Sequence, residues 1–145
     1  MRFVSGFLIL VSAIAFGTQK PVQSSPVKVF VGPEGETVTM VEVNKAKEML
    51  VHLKNVGVQG DEFEDQTHLY LLKDTGAHGR QAYLNKKRGS KTYEYILLTE
   101  TSGHWVLSHP IKATANLPLH YSREESAKTN FETVLKSYQP KTETK

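Results

Sequence analysis

After residue 26 the chain alternates between apolar and polar residues over several short runs, a pattern typical of strands that bury one face. Residues 27–31 alternate in this way, and residues 37–43 form a second run that is rich in β-branched side chains. Between them, Pro33 and Gly35 supply the chemistry of a turn. The two runs therefore predict a first β-hairpin.

Residues 44–55 fit two patterns at once. Leu50 and Leu53 have the spacing of one helical face, whereas Met49, Val51 and Leu53 alternate as in a strand. The pattern alone leaves open whether this segment begins as a helix or as a strand.

Antiparallel pairing of this segment with residues 66–72 favours a strand from about residue 49. The register that we predict places Val51 opposite Leu69 and His52 opposite His68, and it gives both strands one strongly apolar face. Two imidazoles that are cross-strand neighbours are weak candidates for a zinc or copper site. Because no third ligand is evident, we interpret them as ordinary surface histidines and predict no metal site.

Residues 81–86 and 91–99 predict a later hairpin, since a glycine in the connection can adopt the positive φ that tight turns require. A further four-residue turn leads into a strand over residues 104–108, and pairing about that turn predicts Leu98 opposite Trp105. Apolar residues then fall on both faces of this pair. Such strands are buried on two sides, by a second sheet, a closed barrel or a helix.

The C-terminal part contains the one helix that the sequence predicts. Ser122 can cap its first turn, and Glu125 three residues later completes a capping box. Apolar side chains then recur at helical spacing until Pro140: Ala127, Phe131, Val134, Leu135 and Tyr138. One helix after six or seven mostly antiparallel strands predicts an α+β fold, a sandwich or partly closed barrel with the helix packed on it.

The N-terminal residues predict export. Residues 1–17 combine an early arginine, an apolar run and a small-x-small pattern at residues 13–15, as in a secretory signal peptide. The apolar run is shorter than the roughly 20 residues of a membrane-spanning helix. We predict a linker over residues 18–26, a single globular domain over residues 27–139 and a disordered tail over residues 140–145. A secreted protein, extracellular or periplasmic, is therefore expected.

The amino-acid composition and the absence of known motifs exclude several kinds of chemistry. The 145 residues include no cysteine, which excludes disulfides, thiolate catalysis and cysteine-ligated metals. The sequence also lacks the motifs of a nucleophile elbow, a zinc protease, a phosphate-binding loop and a dinucleotide-binding fold. We therefore predict a protein that is not an enzyme and that carries no cofactor.

The strongest binding signal is a concentration of positive charge at the tip of the 81–99 hairpin, which suits an anionic polysaccharide or a membrane surface. The cations are Lys86, Lys87, Arg88 and Lys91. Phe63, within an acidic run, and Tyr83 are further candidates for contact with a partner. Nucleic acid is not an expected partner. The alternative interpretation is an exposed turn that its lysines keep soluble and protect from edge pairing.

These features predict a non-enzymatic binding module that recognises a partner protein or an anionic polymer through exposed hairpin tips. A first alternative is a carrier of a small hydrophobic ligand, with a cavity between sheet and helix that is lined by Tyr70, Tyr93, Tyr95 or Trp105. A second alternative is a small secreted hydrolase, for which the residues to test are His104, His109 and Asp65.

Overall fold

The structure is a computed structural model, which describes residues 19–45, 47–56, 64–75, 80–84, 96–99, 103–108 and 116–138. Eight strands follow one another within these ranges: β1 (Lys28–Val31), β2 (Thr37–Val43), β3 (Glu48–Lys54), β4 (Gln66–Thr75), β5 (Gln81–Leu84), β6 (Ile96–Thr99), β7 (Trp105–Ser108) and β8 (Asn116–Ser122). Each strand pairs antiparallel with the next, and β8 pairs with β1, so that the sheet closes into a barrel. Two short helices follow, α1 (Arg123–Lys128) and α2 (Phe131–Lys136).

This arrangement confirms the predicted α+β fold, an antiparallel sheet with a helical cover from the C-terminal part of a cysteine-free, β-rich domain. The strand that the prediction omitted is β8. Pro118 in its centre argues against a strand, because proline cannot donate to a sheet ladder. Pro118 pairs with Val106 of β7, whereas β1 pairs only with residues 120–122 of β8. The proline therefore lies where β8 has a partner strand on one side only.

The first hairpin is confirmed, and its turn depends on a close contact. Gly32 precedes the turn, and a Cβ atom added there would lie 2.5 Å from Oε2 of Glu36. That same oxygen accepts a hydrogen bond from the backbone N–H of Glu34 at 2.8 Å, and the Glu36 residue is buried. A side chain at position 32 would thus displace the buried Glu36 side chain, whose carboxylate closes the turn.

Residues 44–55 are a turn followed by a strand. Asn44 and Lys45 adopt positive φ values of 51° and 68°, and β3 begins at Glu48. Left-handed backbone at two consecutive residues is incompatible with a continuing helix, so the strand interpretation holds.

The predicted register of β3 with β4 is wrong by one residue. Val51 lies opposite His68, and His52 lies opposite Thr67. The cause is an irregular entry into β4, where Asp65 adopts a φ of 54° and its N–H donates to the carbonyl oxygen of Leu53 at 2.8 Å. A slip of one residue places the two histidines on opposite faces of the sheet.

The predicted register of β6 with β7 is also wrong by one residue, because Thr99 and not Leu98 lies opposite Trp105. The connection between these strands runs over residues 100–104 and is one residue longer than the four-residue turn that the sequence suggested. Gly103, with a φ of 78°, lies in this connection. The extra residue shifts the pairing of the whole strand.

Alternate residues of the strands form an apolar cluster in the interior of the barrel. Its buried members come from β1, β2, β3, β4, β5, β7 and β8 and from the segment after β3: Phe30, Val38, Met40, Met49, Val51, Leu53, Val56, Tyr70, Tyr83, Leu107 and Leu119. Side chains from strands all around a closed sheet can contact one another only in the interior of the barrel. This cluster is the main core of the protein.

A second apolar cluster lies on the outer face of β2, β3 and β4, beneath α2. Val134 of α2 is 3 % exposed, and it packs with Val27, Val41, Val43 and Leu50. Partly buried side chains surround them: Leu69, Phe131, Leu135 and Tyr138. The cavity that the carrier hypothesis placed between sheet and helix is therefore a packed interface.

The C-terminal helical segment is interrupted, in contrast to the single helix that was predicted. Ser122 caps α1 as expected, its hydroxyl accepting from the N–H of Glu125 at 3.3 Å. Thr129 then becomes extended, and Asn130 caps α2 by accepting from the N–H of Thr133 at 2.9 Å. A second capping residue within an apolar repeat was the sequence signal for this break.

The segment before β1 is extended and pairs with the sheet. Gln23 bridges to Val43, and the N–H of Asn44 donates to the carbonyl oxygen of Val22 at 2.9 Å. The predicted signal peptide at residues 1–17 and the predicted tail at residues 140–145 lie outside the described residues. Among the helices that the structure describes, none is long and apolar enough to cross a membrane.

Candidate ligand site at the mouth of the barrel

The connections between strands lie alternately at the two ends of the barrel. The end with the β2–β3, β4–β5 and β6–β7 connections is also the end at which α1 leaves β8. We call five of the inward-facing positions nearest this end the mouth; Lys28, the first residue of β1, is a further inward register position at this end. The five mouth positions alternate along their strands with members of the interior cluster and are Glu42, Leu72, Gln81, Trp105 and Tyr121.

Exposure to solvent changes sharply below the mouth. The side chain of Tyr121 is 55 % exposed, and the other four mouth side chains are partly exposed. Six inward-facing residues beside and beneath them are at most 5 % exposed: Phe30, Met40, Met49, Tyr70, Tyr83 and Leu119. The inward face of the barrel is thus accessible at the mouth and closed beneath it.

Four aromatic rings form a row from the mouth into the interior. The ring centroids of Tyr121 and Phe30 are 5.7 Å apart, those of Phe30 and Trp105 are 6.2 Å apart, and those of Trp105 and Tyr83 are 6.1 Å apart. These are distances of favourable edge-to-face and tilted ring contacts. Because Tyr121 is exposed and Tyr83 is buried, the row joins a solvent-accessible surface to the core.

Glu42 brings a negative charge to the mouth. It lies opposite Met49 and follows Val38 and Met40 at the inward positions of β2. Burial raises the pKa of the Tyr83 phenol above its usual value of 10.0, and the charge of the Glu42 carboxylate raises it further. In the part of the chain that the structure describes, no cationic side chain lies within ion-pair distance of this carboxylate.

Alkaline titration provides a direct check on this environment. We expect the phenols of Tyr83 and Tyr138 to ionise above pH 10.0, because burial raises the pKa of both, with further contributions from Glu42 and Glu48 respectively. A tyrosine whose pKa is raised on folding contributes stability that is intact below pH 10.0 and is lost as the pH rises through the folded-state pKa. Tyrosinate absorbance measured against pH tests this.

Substitution assigns the raised pKa values to the phenols of Tyr83 and Tyr138. Tyr83→Phe and Tyr138→Phe should each remove one of them, and Glu42→Gln should lower the pKa of Tyr83 alone. An unchanged Tyr83 titration in Glu42→Gln would show that the carboxylate and the phenol do not interact.

A second candidate functional site is a polar cluster on the outer face of the sheet, at the end of α2. Nδ1 of His52 is 3.2 Å from both Oγ1 of Thr67 and Oγ of Ser137, and Nε2 of His52 is 3.2 Å from Oδ1 of Asp65. Oγ1 of Thr67 donates to the carbonyl oxygen of Val134 at 2.9 Å. We call these five residues the fastening cluster, since their hydrogen bonds join the end of α2 to β3 and β4.

The fastening cluster has the connectivity of a hydroxyl nucleophile, a base and an orienting acid. The Ser137 hydroxyl, however, also lies 2.5 Å from Oγ1 of Thr67 and 3.3 Å from the carbonyl oxygen of Val134 in its own helix. The Asp65 side chain is 74 % exposed, which weakens its influence on the imidazole. These contacts give the cluster a clear role in holding α2 against β3 and β4.

The weak metal candidates do not lie together. His52 is on the outer face, and His68 occupies an inward-facing position opposite Val51. Among the described residues, no group of three or more metal-ligating side chains is close enough to hold an ion. The shared face on which the zinc or copper hypothesis depended is therefore absent.

The structure describes only some of the other predicted site residues. Tyr83 is 1 % exposed inside the barrel and not on a hairpin surface. His104 is exposed, and Asp65 contacts His52. Several predicted residues lie outside the described ranges: Phe63, Lys86, Lys87, Arg88, Lys91, Tyr93, Tyr95 and His109.

Sequence reasoning missed four of the five residues of the mouth: Glu42, Leu72, Gln81 and Tyr121. Glu42 follows two apolar residues at alternate positions of β2, and a charge in such a series is a signal of an inward-facing polar group. Tyr121 similarly continues the alternation of Leu117 and Leu119 in β8, but that strand was not predicted. Gln81 opens β5 and has no distinctive sequence signal.

Comparisons with protein-family models, with curated proteins and with solved structures find no match to this chain.

Proposed function

We propose that this protein is a non-enzymatic binding module that takes a small amphipathic ligand at the mouth of its barrel. The ligand's apolar body would contact Trp105 and Tyr121 above the packed floor. This proposal keeps the non-enzymatic binding role predicted from the sequence. It takes a small ligand, as in the first alternative, in place of a macromolecular partner, and it moves the site to the mouth of the barrel. From the N-terminal pattern alone, we also propose that the protein acts after export.

The observation that carries the proposal is the change in exposure along the aromatic row. Closed eight-stranded barrels either fill their interior with side chains or hold one small ligand, and ligand sites are common at barrel mouths. Contiguous exposed apolar surface marks ligand or partner sites, whereas single exposed apolar side chains are common. Tyr121 and Trp105 keep such surface accessible while their neighbours Phe30 and Tyr83 are buried.

Trp105 allows a direct test, because it is the one tryptophan of the chain. The indole N–H of Trp105 therefore gives one side-chain signal in a ¹H–¹⁵N NMR spectrum. We expect neutral 1-naphthalenemethanol to shift this signal in a saturable manner, since the probe presents an aromatic body of the size of the exposed rings. An indole signal that does not move at any soluble probe concentration would overturn the proposal.

A matched pair of variants shows where the probe binds. Tyr121→Ala removes an exposed ring of the mouth, whereas Leu71→Ala removes a 43 % exposed apolar side chain at an outward position of β4. We expect Tyr121→Ala to weaken binding about tenfold, in line with a lost aromatic contact, and Leu71→Ala to leave it unchanged. Equal weakening by both variants would indicate non-specific adsorption and contradict the proposed site.

A further inference from the structure

Glu42 is an unusual residue for its position. The inward positions before it on β2 are the buried Val38 and Met40, and its cross-strand partner is the buried Met49. A carboxylate beside an apolar interior loses part of its hydration and gains free energy from a cationic partner. Among the described residues no such partner lies within ion-pair distance, although the carboxylate is partly exposed and thus accessible from solvent.

The carboxylate and the aromatic row belong to one surface. Glu42, Trp105 and Tyr121 occupy inward-facing register positions at the same end of the barrel. The Tyr83 ring lies 6.1 Å from that of Trp105, and the charge of Glu42 contributes to the raised pKa of the Tyr83 phenol. Tryptophan and tyrosine faces attract ammonium groups through the negative face of the ring, and a nearby carboxylate adds direct attraction. The mouth therefore combines the two groups that recognise an organic cation.

We infer that the ligand of the mouth is an organic amine, with an apolar or aromatic body against Trp105 and Tyr121 and a cationic nitrogen held by Glu42. This inference rests on the proposed function and specifies its ligand class. The nitrogen would replace the water that hydrates the carboxylate, and the body would cover the exposed rings. The aromatic rings alone, or the Glu42 carboxylate alone, would not select an amine over other small amphipathic molecules. The two together favour a ligand that has both an apolar body and a positive charge.

Lys28 is a cationic residue that would favour an anionic ligand instead of an amine. It occupies an inward register position opposite Met40, at the first residue of β1. Its side chain is exposed and makes no ion pair with Glu42 within the described residues, so its ammonium group lies in water. A fully hydrated cation selects ligands weakly compared with a partly buried carboxylate. The experiment therefore includes an anionic probe.

Three probes with the same ring system test the inference: cationic 1-naphthylmethylamine, neutral 1-naphthalenemethanol and anionic 1-naphthoate. We expect the dissociation constant of the amine, from the Trp105 indole signal, to be about tenfold lower than that of the alcohol. The anion should bind most weakly. Glu42→Gln should remove the preference, so that the amine and the alcohol bind with equal affinity.

Glu34→Gln is the matched control, because Glu34 is an exposed carboxylate in the β1–β2 turn at the opposite end of the barrel. It should leave all three affinities unchanged. Equal binding of amine and alcohol would overturn the amine inference and leave the proposed function intact, whereas no binding of any probe would overturn the proposed function. Tighter binding of naphthoate, lost in Lys28→Gln, would assign the mouth to an anion and also overturn the inference.

Discussion

Ending the chain after Thr129 is expected to remove most of the stability of the protein. The truncation deletes α2 and exposes the outer apolar cluster, in which Val41, Val43 and Leu50 are at most 1 % exposed. Exposing a buried valine or leucine costs about 1.5 to 3 kcal/mol, so the loss amounts to about 5 kcal/mol or more. A typical domain has a free energy of unfolding of about 5 to 15 kcal/mol, and urea unfolding measures the change.

The matched control ends the chain after Tyr138 and keeps every contact that the structure describes for α2. We expect this shorter deletion to leave the urea midpoint unchanged. If the chain that ends after Thr129 unfolds at the same urea concentration as the full chain, the helix is not part of the cooperative unit, and the packing described for Val134 does not stabilise the barrel.

Thr67→Val is expected to cost about 2 kcal/mol, although the two side chains have nearly the same shape. The Thr67 residue is 2 % exposed, and its hydroxyl donates to the carbonyl oxygen of Val134 and contacts both His52 and Ser137. Removing the hydroxyl leaves the buried carbonyl oxygen of Val134 without this donor, and an unsatisfied buried polar group costs about 1 to 3 kcal/mol. The contacts with His52 and Ser137 are part-buried and add less. Thermal or urea unfolding measures the difference.

Thr39→Val is the control for the loss of a buried threonine hydroxyl. Thr39 lies opposite His52 on β2, in the same cross-strand row as Thr67, and the residue is 6 % exposed. Its hydroxyl makes no hydrogen bond within the described residues, so we expect a change smaller than about 0.5 kcal/mol. Similar losses for the two variants would contradict the fastening role of the cluster.

The same cluster also allows the hydrolase hypothesis to be tested. A fluorophosphonate probe labels serine residues that an imidazole activates as nucleophiles. Because the Ser137 hydroxyl already contacts Thr67 and Val134, we expect no labelling at this residue. Covalent labelling of Ser137 that disappears in His52→Gln would assign a catalytic role to Asp65, His52 and Ser137 and would contradict the non-enzymatic function proposed above.

Local chemistry accounts for the parts of the fold that could be predicted. The β1–β2 hairpin follows from two alternating runs and the glycine and proline between them, and the start of α1 follows from the Ser122 cap. In both cases the residues that decide the structure lie within a few positions of one another. Such signals can be found in a single sequence.

The remaining parts depend on contacts that a local pattern does not contain. The β3–β4 register is set by the left-handed Asp65, and the β6–β7 register by one additional residue in the connection. β8 was missed because Pro118 is tolerated only where β1 does not pair. The closure of the barrel depends on residues at opposite ends of the described chain, and no local signal predicts it.

The mouth was hard to predict for the same reason. Its residues come from five different strands, and no two of them form a motif in sequence. Trp105 was identified as a possible ligand contact from its chemistry alone. Glu42 and Tyr121 can be assigned to the mouth only from the strand registers, which place both residues on the inward side at one end of the barrel.

The pairing of β8 with β1 also sets the order in which this chain can fold. Before residues 116–122 are synthesised, β1 and β7 are open edges with unpaired backbone groups, and open edges invite association with other chains. Contacts between such distant parts of a sequence form slowly, because a long loop must be closed first. The barrel therefore cannot close before β8 has been made, and the pairing of its first and last strands is the step at which folding competes with aggregation.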